Sequence, residues 1–332
     1  MPKNQDRWEA FDLVEAFHLS QAVNALHDLG VLAALTKPAD TASLATRYKL
    51  DEDLLRGVLE YIAARTSLLK KNGDGRFVLT RNNNVTTQFF LDLYLGAYGG
   101  NAVSLQSILH DPALAPSKID RLRHARAFAH VDHATLGPLP DLVRQLGFTG
   151  VLDIGCGNGD LLLELARQDG KFIGFGIDVN AAMLKLARSR ARAARLGKRV
   201  QFLEGDCRNL KRAIPVAISS QIGSVTACNF MNEMFGQGVA RVIQWLKELR
   251  RMFPTRPLLI LDYYGRLGQK KNRKTPKERE TLLHDFAQLI SGQGLPPSNV
   301  NQWNTLYRKA GCQLVHVIED KQTTRFIHLL RL

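Results

Sequence analysis

Three glycines at alternate positions, Gly155, Gly157 and Gly159, lie between an apolar run at residues 151–154 and a helix-forming segment at 161–167. That order reads as strand, tight turn, helix. Glycine suits such a turn because its backbone takes dihedrals other residues resist, and because the missing Cβ lets a ligand approach the main chain. A dinucleotide fingerprint would place its third glycine one position later, where Asp160 stands, and a triphosphate loop would end in Gly-Lys-Ser/Thr. Neither pattern is present. Three acids accompany the turn. Asp153 precedes it, Asp178 ends the apolar run 172–177, and Asp206 follows the run 200–203. A carboxylate at the tip of the second strand is placed to accept hydrogen bonds from a ribose diol.

Together the motif at 151–160, Asp178 and Asp206 resemble the class I S-adenosylmethionine-dependent methyltransferases. The resemblance implies S-adenosyl-L-methionine as cofactor, with Gly155 and Gly157 lining it. It places Asp153 near the cofactor's amino group, Asp178 on its ribose and Asp206 on its adenine. It also implies a Rossmann-like seven-stranded α/β sheet with an antiparallel C-terminal strand, in which the end of the fourth strand, around Asn229, faces the reacting sulfonium.

The segment 224–238 therefore bears on the acceptor. Phenol-methylating relatives carry a histidine base where this chain has Asn232, within Met231-Asn232-Glu233-Met234. An amide has no proton-accepting pKa near neutrality and can only orient. Three other groups could take a proton, namely Glu233, His130 and His133; alternatively the acceptor needs little activation, as an amine or an enolisable carbon would. Glu233 also reads as an acid near a helix N-terminus with only a dipole role. The missing histidine raises C-methylation beside O-methylation. His130 and His133, three apart, face one way on a helix, but no further ligand completes a metal site. In the resembling enzymes the helix before the glycine motif lies over the cofactor's methionine end, which draws attention to Phe128 as well. Tyr94 and Tyr98, in the aromatic stretch 88–98, are candidate acceptor contacts, with ordinary core packing as the bland alternative.

The elements that must position these groups follow from periodicity. Residues 8–35 carry Phe11, Val14, Phe17, Leu19, Val23, Leu26 and Leu29 at helical spacing, which predicts a broad buried face ended by Gly30. Helices at 41–48 and 51–65, the second capped by Asp51, precede a hairpin at 68–80. Helix, helix, helix, hairpin is a winged-helix pattern. Its second helix is acidic at its start and apolar afterwards, so phosphate is repelled and DNA binding is disfavoured. The small-molecule O-methyltransferase branch carries such a domain, usually intertwined in a homodimer. Domains are thus expected at 1–100 (winged helix, dimerisation), 101–149 (connecting helices) and 150–332 (cofactor binding and catalysis). The tail predicts a helix at 296–310 and a closing hairpin at 312–331.

The chain of 332 residues carries 45 basic and 31 acidic residues, net +14. The excess concentrates in a helix at 182–199, rich in Lys185, Arg188, Arg190, Arg192, Arg195, Lys198 and Arg199, and in the segment 266–279. A solvated surface, an anionic substrate or a nucleic acid each accounts for it. Cys156, Cys207, Cys228 and Cys312 lack paired spacing and read as reduced core residues. No apolar run approaches a membrane span, and the first residues are polar, so a cytoplasmic enzyme without a membrane partner is expected. The expected activity is methyl transfer to a small metabolite, with nucleic-acid methylation or a non-catalytic cofactor-binding regulator as alternatives.

Overall fold

The computed structural model describes residues 8–82, 84–130, 136–269, 276–320 and 323–332. The chain divides into two compact units, one ending at Ala97 and the other beginning at Tyr98.

In the first unit a helix spans Ala10–Asp28 and a short one follows at Val31–Ala34, separated by Gly30 at φ +78°. Its core is built from Val31, Leu35, Leu59, Ile62 and Phe77 and takes Val23 and Leu26 of the long helix, with Ala22 packed against it. The broad buried face expected across 8–35 is therefore corrected. Phe11 is 70% exposed, Val14 58%, Phe17 53% and Leu29 46%. A core this small reaches only the last turns of the helix, whatever the periodicity of the earlier ones. Helices Thr41–Tyr48 and Glu52–Arg65 start on the carboxylates of Asp40 and Asp51, which accept from the Ser43 and Leu54 N–H groups at 2.8 Å each. Strands β1 (Leu69–Lys71) and β2 (Phe77–Leu79) pair antiparallel. Helix Val85–Phe90 then widens into a π-helical stretch, Leu91–Ala97.

The second unit is organised on seven strands: β3 (Gly150–Ile154), β4 (Ile173–Asp178), β5 (Val200–Glu204), β6 (Ser224–Cys228), β7 (Pro257–Tyr263), β8 (Gln313–Glu319) and β9 (Arg325–Arg331). Their order is β5-β4-β3-β6-β7-β9-β8. The first five run parallel, and β9 is antiparallel to both of its neighbours, β7 and β8. This is the seven-stranded architecture with a reversed C-terminal strand that the motifs implied. Both faces of the sheet are covered, which explains why its central strands are almost continuously apolar. Along β7, Leu258 and Ile260 enter one core, with Trp245, Leu249 and Trp303, while Leu259 and Leu261 enter the other, with Leu162 and Leu184.

The order reverses direction at β3, whose neighbours β4 and β6 lead to opposite edges of the sheet. In open α/β sheets the crevice beyond the strand ends at such a switch point is where ligands bind. The basic helix spans Ala181–Ala193. Its arginines are not simply solvated. Arg188 donates to the Phe202 carbonyl at 3.2 and 2.9 Å, and Arg190 pairs with Asp160. Beyond the helix, Arg199 donates to the carbonyls of Asp169 and Ala166 at 2.6 and 2.7 Å. These three cations serve the fold, which removes part of the basis for a nucleic-acid surface. Of the basic segment 266–279, residues 270–275 lie outside the described residues.

Candidate active site

A cavity of about 540 Å³ opens at the carboxyl ends of β3, β4, β5 and β6, entirely within the second unit. The glycine turn forms one wall. Gly155, Gly157 and Gly159 take φ of +69°, +53° and +80°, so each is held in the region that favours glycine. Space reinforces dihedral angle at the outer two. A Cβ on Gly155 would come within 2.8 Å of the Phe230 ring, and one on Gly159 within 2.5 Å of Phe202. The turn also rests on β4, where a Cβ on Gly176 would approach the Cys156 sulfur to 2.7 Å. Gly176 is a requirement that inspection of the turn alone does not reveal.

The acids are positioned by the strand ends. Asp178, last residue of β4, accepts the Gly157 N–H on Oδ2 at 2.9 Å and the Asn180 N–H on Oδ1 at 2.7 Å. Burial raises its pKa, and these two N–H groups oppose the rise by stabilising the anion. Asp153, in β3, is buried and accepts from the Thr226 hydroxyl at 2.7 Å. Burial pushes it up to about 7 despite that bond. Asp206 behaves differently, because Arg208 grips both its oxygens at 2.8 and 2.9 Å and holds its pKa below the usual range. Asn229 sits just past β6 at φ +50°, its N–H donating to the Leu261 carbonyl at 2.7 Å. All four of these residues line the cavity, as do Gly155 and Gly157.

The expected catalytic and acceptor residues divide. Glu233 lies in the 3₁₀ helix Met231–Gln237 and faces the cavity. Burial pushes its carboxyl up to about 7, with Arg121 pulling the other way. Its neighbour Asn232 is buried, donates its backbone N–H to Asp262 at 3.0 Å, and is not among the lining residues. Phe128 lines the cavity from the helix Arg121–His130, whereas His130, at the end of that helix, does not. His133 lies outside the described residues. Tyr98 is buried behind the wall, its hydroxyl 3.3 Å from Oε1 of Gln293. Tyr94 belongs to the first unit, where it packs against Phe90.

Several lining groups were not anticipated: Arg121, His124, Met183, Arg208 and Gln293. His124 packs between Tyr98 and Phe128, with ring centroids 6.1 and 4.9 Å away, and burial with Arg121 nearby drives its pKa down to about 4. It is a neutral imidazole at physiological pH. For Gln293 the available signal was Gly292 and Gly294 on either side, both at positive φ.

A glycine turn at the switch point, a carboxylate braced by that turn, and acids at successive strand ends define an α/β enzyme that binds a nucleoside-bearing cofactor. Residues 151–252 match the family described as a methyltransferase domain. Over 317 residues, 90% of each chain, the protein is 24% identical to the methyltransferase ungE' of Aspergillus campestris. Among solved structures it is similar to the mitomycin 7-O-methyltransferase MmcR (TM-score 0.74, 18% identity, 96% of both chains). It is also similar to the N,N-8-amino-8-demethyl-D-riboflavin dimethyltransferase RosA of Streptomyces davawensis (TM-score 0.60, 20% identity, 98% and 99% of the chains). The chain carries a methyltransferase domain and is an S-adenosylmethionine-dependent methyltransferase.

The cavity fits that cofactor. Backbone N–H groups and glycines without Cβ leave room beside the turn, and each Asp178 oxygen keeps a lone pair beyond the N–H it already accepts. When bound, S-adenosylmethionine supplies an activated methyl group. The protein's own contribution is to hold the acceptor in line, exclude water and manage a proton.

Proposed function

We propose that the enzyme methylates an oxygen or an activated carbon of a small organic acceptor, and that Glu233 receives the acceptor's proton. The observation that carries this is the placement of Glu233 on the wall of the cavity that also holds Asp178 and the glycine turn. A carboxyl pushed up to about 7 is matched to proton transfer at physiological pH, because it is substantially ionised there yet more basic than an ordinary carboxylate. The buried Asn232 leaves that role to its neighbour. In this reading Asp178 binds the ribose, Asp206 the adenine edge, and Asp153 and Asn229 the amino-acid end. Arg121 and Arg208 on the cavity wall suit an anionic acceptor. Similar folds serve a 7-O-methyltransferase and an N,N-dimethyltransferase, so the acceptor atom is decided by the site and not by the architecture.

The helices and hairpin of the first unit form a winged helix that serves dimerisation. Its support is the apolar surface of one helix, where Phe11, Val14 and Phe17 recur at helical spacing and stay exposed, with Trp8 just before them. Four free cysteines suit the reducing cytoplasm. Among the described residues no helix is long and apolar enough to cross a membrane.

The test is Glu233→Gln, assayed against a panel of hydroxylated and enolisable acceptors. Calorimetry with S-adenosylhomocysteine should show retained binding while turnover falls by about 10²–10⁴. Full turnover in the variant would remove Glu233 as the base.

A further inference from the structure

The loop after the helix Pro276–Ile290 runs Ser291-Gly292-Gln293-Gly294 and is fitted to its surroundings backbone against backbone. A Cβ on Gly236 would lie 1.8 Å from the Gly292 carbonyl oxygen, and one on Gly294 would lie 2.4 Å from the Gly236 nitrogen. Gly292 and Gly294 both need φ near +80°. The Gly236 N–H donates to the Gln293 carbonyl at 2.6 Å, and the Gln293 N–H to the Gln288 carbonyl at 3.0 Å. So much constraint fixes one residue between the two glycines. Gln293 is 6% exposed, and it lines the cavity.

Its side chain is oriented too. The Tyr98 hydroxyl donates to Oε1 at 3.3 Å, which turns the amide so that its NH₂ end is the free one. Among the described residues no group accepts from that Nε2. An amide donor with no protein acceptor, on a largely buried residue that lines a ligand cavity, is available to an oxygen of the ligand.

Glu233 gives the spacing. It and Gly236 are three residues apart in a 3₁₀ helix, so they lie over one another, roughly 6 Å apart along the axis. Gly236 is the residue bonded to Gln293. Glu233, Gly236 and Gln293 all line the same cavity.

Building on Glu233 as the proton acceptor, we infer that Gln293 binds the acceptor substrate, donating its amide N–H to a carbonyl oxygen on the same molecule as the hydroxyl that is methylated. The acceptor class is then a hydroxy-carbonyl compound, whose carbonyl oxygen has a lone pair to accept the amide N–H.

The probes are 3-hydroxyacetophenone and 3-ethylphenol, which share the hydroxyl and differ by carbonyl against methylene. Each is titrated into the full-length protein saturated with S-adenosylhomocysteine. The wild type should prefer the ketone about tenfold, the effect of one well-placed hydrogen bond. Gln293→Met, which keeps the volume, and Tyr98→Phe, which releases the amide, should reduce the preference, the first to parity. S-adenosylhomocysteine affinity and the melting temperature in its presence report that each variant is folded. A tenfold preference that survives Gln293→Met, equal binding by the wild type, or binding of neither probe overturns the inference. Failure of the wild type to bind S-adenosylhomocysteine would instead strike the cofactor assignment. Loss of the preference with Glu233→Gln, while Gln293→Met retains it, would transfer the carbonyl contact to Glu233 and also overturn the inference.

Discussion

The Asp178 carboxylate accepts the Gly157 N–H at 2.9 Å, so the acid at the end of one strand latches the glycine turn that follows its neighbour. The two motif elements are one structure. The acid shapes the turn while its remaining lone pairs stay available to a ribose, and burial raises the cost of leaving it unpaired.

Asp178→Ala should therefore weaken S-adenosylhomocysteine by about a hundredfold or more, since hydrogen bonds to a charged group contribute roughly 1.5–3 kcal/mol each. Asp178→Asn keeps one acceptor oxygen and should fall between. Calorimetry on the three proteins measures it, and an unchanged dissociation constant for the alanine variant would rule out the ribose role.

Activity should rise with pH through about 7 as Glu233 loses its proton, because only the carboxylate can accept one. Asp153 and Asp262 are also pushed up to about 7 by burial. The assignment therefore depends on Glu233→Gln, in which the rising limb of kcat/KM should vanish. A limb that persists unchanged in that variant assigns it to another group.

The same three carboxyls make stability depend on pH. Their pKa values are higher folded than unfolded, so these three groups lower stability as pH rises from about 4 through about 7. His124, His284 and His328 act the opposite way, because burial pushes them down to about 4, 4 and 3 and the unfolded chain gives up their protons as pH rises through about 6.5. The carboxyl contribution is isolated by Glu233→Gln, whose cofactor-free protein should lose less stability between pH 5.5 and pH 7.5 than the wild type does, as calorimetry can show; an equal change in both would mean that Glu233 is ionised at little cost in the folded chain.

Phe11, Val14 and Phe17 form an apolar stripe over two turns of an exposed helix. Replacing Val14 and Phe17 by Glu should convert a dimer to a monomer without loss of helical circular dichroism. Sedimentation velocity distinguishes the species; a wild type that sediments as a monomer would end the dimer proposal.

What the amino-acid order settled by itself is local and repeated. Alternate glycines before a helix, apolar runs of strand length and an acid at each run's end specify the cofactor crevice, because the dihedral angles and hydrogen bonds they require arise within about sixty consecutive residues. The seven-stranded sheet was implied by the family resemblance that these motifs carry. Periodicity also found the N-terminal helix but misassigned its face, since apolar spacing shows that a stripe exists and not what covers it. The acceptor side depended on tertiary structure. That Glu233 lines the cavity while Asn232 lies buried with its backbone N–H on Asp262 is a matter of how one short 3₁₀ helix packs on β7. Gln293 comes within reach only because a loop 57 residues later in the chain closes backbone-to-backbone on Gly236. The crevice proposed for the donor is encoded within a contiguous stretch. The wall proposed for the acceptor is assembled from segments that meet only when the fold is complete.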